Sequence, residues 1–341
     1  MTTTETTFER AAGTQALLDA VSLAVWAPSI HNTQPWRWRL ADGWLDLFLE
    51  RSRLLAVADP AAHLAVLSCG AALHHARISL AAAGWRAVVT RLDEGSGPDH
   101  LARLRLDRRA DAVAAAQRLV DVVPDRHTDR LTTPGPPLDG HRLRSVATAV
   151  EQEGARLQIL RPNQVYELAR AADQAHDIEA HDAWQAELAH LMGPDRPAGI
   201  GIPDEAVSHG AGWAAHHGAG WAAHPGRHFC RDGATLITEC HHHAATFAIL
   251  HGVGDSRSER LRAGEALSAG WLTATEHEVA VLPLSAMIEI GTTREALRGM
   301  LTGHDHPYLV LRFSALDPDA GPQQLTPRLN VREILETPPR D

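Results

Sequence analysis

Lysine is missing from all 341 residues, so every one of the 32 basic side chains is an arginine. This excludes Schiff-base catalysis, pyridoxal-phosphate attachment and any phosphate loop built on lysine. Anionic groups must be held by the planar arginine fork, by backbone N–H groups or by helix N-termini. Cysteine is nearly as scarce. Cys69, Cys230 and Cys240 lie far apart and make no C-x-x-C pair, which argues against a disulfide framework and for a reducing compartment. Long apolar runs are also lacking, since none approaches the ~18 residues of a membrane span. The opening MTTTETTFER is polar and acidic instead of basic then apolar, so neither a secretory signal nor an anchor is expected. The expectation is a cytoplasmic protein. Positive charge is in deficit: 42 acidic residues against 32 basic ones give a net charge of −10 with histidine neutral. That excludes a general basic surface for duplex nucleic acid or anionic membrane and leaves a small molecule as the expected partner.

The composition that is present, 44% hydrophobic and 22% charged, is that of a globular chain of one or two domains. Leu17, Leu18, Val21 and Val25 share one helical face over residues 15 to 26, and the pattern stops at Pro28. Trp36, Trp38 and Leu40 alternate with Arg37 and Arg39. After Asp42-Gly43, Leu45, Leu47 and Leu49 alternate with Asp46 and Phe48, which predicts a hairpin. Asp59-Pro60 opens an Ala-rich helix that Gly84 should stop. Strands at 87–92 and 101–106 and a helix over about 111–122 complete a first half that ends near Pro124. The second half repeats a similar order: a helix to Gly154, a strand at 156–160, a helix over about 163–192, a strand at 246–251, a helix at 258–276, and strands at 279–284 and 308–313. Mixed helices and non-local strands predict an α+β fold. Residues 193–232 are rich in Gly, Pro, Ala and His and contain a tandem octapeptide, His209–His216 repeated as His217–His224. A long loop of this kind reads as a lid.

The most informative string is Ala27-Pro28-Ser29-Ile30-His31-Asn32-Thr33-Gln34-Pro35-Trp36, between a helix end and a strand start. Taken physically, it is either a ligand loop or a tight connector whose polar side chains satisfy backbone groups. Arg126-His127-Thr128-Asp129-Arg130 offers two forks and a hydroxyl suited to a phosphate monoester, or else a solvated turn with a helix cap.

The first string resembles the P-S-x-x-N-x-Q-P-W signature of the FMN-dependent nitroreductase superfamily. The second resembles the R-x-[ST]-x-R segment that opens such domains. The whole chain is similar to the Acg-type nitroreductases of actinobacteria, which fuse two nitroreductase-like halves in one chain. The resemblance implies a nitroreductase-like α+β fold in which residues 1–123 and 124–341 form a pseudo-dimer, monomeric or further paired, with the insertion at about 193–232 as a lid. It implies one FMN, touched by Pro28, Ser29, Ile30, Asn32 and Gln34 of the first half. Arg126, Thr128, Arg130 and Arg328 of the second half would hold the phosphate, with His127 beside them among the cofactor-binding residues. Leu282, Pro283, Leu284 and Ser285 would border the reactive edge, although Leu-Pro-Leu also suits a core strand leaving a sheet. No catalytic side chain is implied, because the flavin N5 carries the hydride. The expected reaction takes hydride from NAD(P)H to a nitro, quinone or other unsaturated acceptor. The alternative is an FMN store whose lid blocks turnover.

A rival signal is histidine. Twelve of the 22 histidines fall between His176 and His251, with Cys230 and Cys240 among them. Their spacing fits no zinc motif, so a histidine-rich metal-binding protein is a second alternative and no metal ligand is assigned.

Overall fold

The computed structural model describes residues 3–41, 43–91, 97–130, 136–192, 196–203, 233–241, 245–316 and 326–336. Most of the expected lid, including the octapeptide pair, and His228, Cys230, His242 and His243 lie outside them.

The hairpin forms as the alternation requires. Strands β1 (Trp36–Ala41) and β2 (Trp44–Leu49) pair antiparallel, and Gly43 takes the left-handed φ of 80° that the two-residue turn needs. Trp36 and Trp38 point into the core with no exposure. Arg37 and Arg39 take the other face, where both guanidiniums lie over the Phe48 ring. Strands β3 (Trp85–Arg91) and β4 (His100–Arg109) extend this sheet. Four later strands, β5 (Arg156–Ile159), β6 (Thr246–Gly252), β7 (Val279–Leu284) and β8 (His306–Ala315), make a second sheet in the order β5-β6-β8-β7.

Helices fill the space between. The first half contributes α1 (Thr3–Ala24), α2 (His63–Ala82) and α3 (Ala114–Asp121). The second contributes α4 (Gly140–Gln152), α5 (Pro162–Glu179), α6 (Asp182–Met192), α7 (Gly233–His241), α8 (Arg257–Glu276), α9 (Ala286–Glu289) and α10 (Gly291–Met300). At the end of the described chain, α11 (Val331–Ile334) leads into β9 (Leu335–Glu336), which crosses to the first sheet and pairs parallel with β1. The first sheet therefore reads β3-β4-β2-β1-β9.

Helices α2 and α8 form the seam between the two sheets, and their backbones touch. A Cβ on Gly70 would lie 1.9 Å from the Leu261 carbonyl oxygen, and one on Gly264 would lie 1.8 Å from that of Leu67. Glycine is the one residue that permits this approach. Along the same seam His74 Nδ1 meets Ser268 Oγ at 2.9 Å.

Three expectations need correction. Helix α2 starts at His63, not at Pro60, because the Asp59 carboxylate reaches forward to accept from the His63 and Ala65 amides, both at 2.8 Å, while Ala62 turns left-handed. The continuous helix over 163–192 is two helices, broken where the His181 amide turns back to the Ile178 carbonyl. And α2, expected to fall short of a span, is long and apolar enough by length and composition to cross a membrane. Its apolarity has another cause: it packs against α1, α3 and α8, and most of it is buried.

The seam yields a stability prediction. Gly264→Ala should destabilise the chain by about 1–3 kcal/mol through overpacking. Gly299→Ala, in a helix with open space around it, should stabilise by roughly 0.5–1 kcal/mol. Urea midpoints of the two variants would check the opposite signs.

Candidate functional site

The loop between α1 and β1 is held in a costly conformation. His31, Asn32 and Gln34 all have positive φ, at 42°, 56° and 49°, and each such non-glycine residue stores on the order of 1–3 kcal/mol. The strain is fixed by cross-bracing. Ser29 Oγ accepts from the Gln34 amide at 3.0 Å, the Thr33 amide donates to the Ile30 carbonyl at 2.9 Å, and the Ile30 amide donates to Ser68 Oγ of α2 at 3.0 Å. Pro28, Ser29 and Ile30 are half-buried.

Two side chains of this loop stitch distant segments together. Asn32 Nδ2 donates to the carbonyls of Gly201 and Pro327, both at 2.9 Å. Gln34, fully buried, donates to the Gly199 carbonyl at 2.7 Å and accepts from the Leu329 amide at 3.0 Å. Gln34 thus has both ends of its amide engaged by main chain. The stretch 199–201 and the stretch 326–329 both lie against the loop as a result.

The arginines converge beside it. Arg126 is buried, stacked with its guanidinium 4.7 Å from the Trp271 ring centroid of α8, and donates to the Trp26 carbonyl at 3.2 Å. Arg328 donates to Asn32 Oδ1 and, at 3.0 Å, to Thr326 Oγ1. Each leaves a buried Nε without a hydrogen-bond partner among the described residues. Burial, and then the charge of Arg328, push Arg126 down to about 9. Burial pushes Arg328 down to about 10 and does the same to Arg130, against the pull of Asp129. All three stay cationic at neutral pH. His75 of α2 faces the same charges. Burial first, then His74 and Arg126, hold it well below the ordinary histidine value and therefore neutral. Its Nδ1 bonds to the Leu23 carbonyl at 3.3 Å.

The segment carrying Arg126 runs along the second sheet, where the Asp129 amide donates to the Val281 carbonyl of β7 at 3.0 Å. His127 and Thr128 are half-buried, and His127 Nδ1 lies 2.8 Å from the Asp125 carbonyl. In β7, Leu282 and Leu284 are buried and Pro283 is half-buried, with Leu282 opposite Arg312 and Leu284 opposite Val310 of β8. Ser285 precedes α9, which ends in Glu289. Glu289 Oε1 lies 3.5 Å from His31 Nε2, so the first-half loop and the stretch after β7 meet at one point. The sequence reading missed His75, Trp271, Ser68 and Glu289. A histidine pair in an otherwise apolar helix was the one available signal. Among the described residues no group of three His, Cys, Asp or Glu could hold a metal ion.

No family model matches the chain. It is 33% identical over 329 residues to the Mycobacterium tuberculosis protein named "Putative NAD(P)H nitroreductase Rv3131", covering 93% of this chain and 90% of that one. It is 31% identical over 334 residues to "Putative NAD(P)H nitroreductase acg" of the same organism, covering 96% and 97%. The chain belongs to the Acg-type nitroreductase family. Two solved nitroreductases are similar in part to this family member. An FMN-bound enzyme from Bacteroides fragilis gives a TM-score of 0.36 at 12% identity, over 61% of this chain and 93% of that one. The FMN-dependent NfnB of Mycobacterium smegmatis, in complex with NADPH, gives 0.40 at 13% identity, over 64% and 97%.

Near Glu289 lies a second buried acidic group. Burial, with help from Glu289, raises Glu179 at the end of α5 to about 8. The folded state therefore keeps a proton that the unfolded chain releases near the ordinary value of 4.5. Stability is then fully present below that value and falls as pH climbs toward 8, by about 1.4 kcal/mol per unit for one proton. Glu179→Gln should flatten this slope, and chemical denaturation across pH 5 to 9 would show it.

Proposed function

We propose that the chain binds one FMN and works as an NAD(P)H-dependent oxidoreductase of nitroreductase type, acting on a nitro, quinone or other unsaturated acceptor. The carrying observation is the pair of buried, mutually repelling guanidiniums of Arg126 and Arg328, each with an unpartnered Nε, beside the Pro28–Asn32 loop. Such a pair is unfavourable alone and is relieved by a dianion. The FMN phosphate fits that donor set, and Arg130 and Thr128 would complete it. Main chain of residues 28–32 would line the ring and ribityl portion, with Leu282, Pro283, Leu284 and Ser285 across from it. Asn32 and Gln34 would hold the loop's shape. When bound, FMN supplies hydride transfer through N5.

An asymmetry between residues 1–123 and 124–341, read as two halves of a pseudo-dimer, supports one FMN per chain. With Gly70 matched to Gly264, Trp271 under Arg126 has Arg77 as its counterpart. Arg77 is bound by Glu153 and Glu265, and Arg91 clamps Glu265 at 2.7 and 2.9 Å. A neutralised ion network, with Glu265 fully buried, fills the matching position.

A second reading, FMN storage without turnover, is favoured by the cover over the loop. Gly199 and Gly201 are bound to Gln34 and Asn32, and Glu187 of α6 accepts from the Val57 and Ala58 amides at 2.8 to 3.2 Å. Anaerobic reduction separates the two readings. NADPH should bleach the bound flavin if the chain is an enzyme, and bleaching by dithionite alone would establish storage.

Loss of one charge-assisted contact costs roughly 1.5–3 kcal/mol. Arg126→Met should therefore weaken FMN by about 10- to 100-fold while leaving riboflavin, which lacks the phosphate, unaffected. Fluorescence titration with both ligands would test this, and equal losses for the two would reject the phosphate role.

A further inference from the structure

The loop and the stretch after β7 flank the candidate site. In residues 28–34 and 282–290, His31 and Glu289 are the only side chains of acid–base type. They meet each other, 3.5 Å apart, with side-chain exposures of 7% and 1%. Among the described residues neither oxygen of Glu289 has a hydrogen-bond partner, and Glu179 Oε2 has none either. Structural carboxylates in a protein interior are satisfied by donors, so two unsatisfied ones on the mutually packed helices α5 and α9 call for a different explanation.

We propose that Glu179, Glu289 and His31 form a buried proton path that ends at the loop and delivers the proton consumed when a nitro acceptor is reduced there. This rests on the FMN reading above. Reduction of a nitro to a nitroso group takes one hydride, which NAD(P)H supplies by way of the flavin, and one proton. One N–O bond breaks and water leaves. The hydride needs no protein group, whereas the proton does in a site closed to water.

The surroundings favour storage of a proton at the far end of the path. Glu289 stands close enough for its charge to add to the burial that keeps Glu179 protonated at neutral pH. Asp59 is raised to about 6 by burial, with Glu289 contributing, but its oxygens are already occupied by the His63 and Ala65 amides. Arg294 of α10 points its guanidinium at the Ile288 carbonyl, 3.1 Å away. Glu179 lies at the break between α5 and α6, next to exposed His181. That break is where a spent proton would be replaced from solvent.

His31 and Glu289 act here as relay residues, so the test needs readings that a purely structural tie would not move. Infrared spectra of the apoprotein at pH 7 should contain a protonated-carboxyl C=O band that Glu179→Gln removes. In the FMN-loaded protein, Glu289→Gln and His31→Gln should change flavin reduction by NADPH or dithionite far less than its reoxidation. They should slow reoxidation by a nitro acceptor at least tenfold and flatten its pH profile. A wild-type spectrum without the band overturns the proposal. So does reoxidation at the parent rate in both variants, or equal slowing of both half-reactions. A chain that takes up no FMN overturns the function and the relay together, and absence of flavin absorbance tells that outcome from failure of the relay alone.

Discussion

Contact between Gly70 and Gly264 is the constraint on which the remaining geometry depends. Two long helices brought to backbone contact leave no freedom in how the sheets face one another. That fixed relation sets His75 of α2 against the charges near Trp271 of α8. It also sets the Ser68 hydroxyl of α2 under the Ile30 amide. A site assembled from strained backbone and buried charge requires such a frame, because each component is unfavourable by itself. The left-handed residues of the loop relax without their braces, and the guanidiniums hydrate without the aromatic wall and the surrounding core.

The absence of lysine gives this chain a particular electrostatic style. A lysine in the position of Arg126 could lose its proton on burial, whereas a guanidinium lowered to about 9 is still charged at neutral pH. The charge must therefore be compensated by something in the chain or by something it binds. Around Arg77 and Arg91 the chain supplies its own answer, Glu153 and Glu265. Around Arg126 and Arg328 it supplies carbonyl oxygens, an amide oxygen and a hydroxyl, with no carboxylate among their hydrogen-bond partners in the described residues. The two positions thus differ by the presence of two glutamates.

Sequence reasoning reached those parts whose physics is local. Asp42-Gly43 between alternating runs specified its hairpin, since turn chemistry and strand period act within a dozen residues. The main α8, β6 and β7 spans were legible for the same reason. Asp59 as a forward cap was not, because Pro60 supplied a stronger local cue than a carboxylate reaching four residues along the chain. Nor was β9: two residues with no periodicity form a strand only because β1 offers an unpaired edge. At the site, the loop and the arginine segment could be picked out by motif. Trp271, Glu289 and Glu179 could not, because their roles arise from contacts made across 100 or more residues of chain.

The route of the last described segment explains why the loop needs both Asn32 and Gln34. Arg328 lies in the described stretch 326–336, which ends as β9 on the first sheet. A charged side chain on such an arm would drift to solvent unless the arm were pinned on either side of it. Asn32 pins the Pro327 carbonyl, Gln34 pins the Leu329 amide, and the arginine between them is held inward. The same two amides also hold Gly201 and Gly199. Displacing the 199–201 stretch would therefore break hydrogen bonds to the very side chains that fix Arg328. The 199–201 stretch and the arm that carries Arg328 are thus coupled through the same two amides, so that a shift in either is felt by the other.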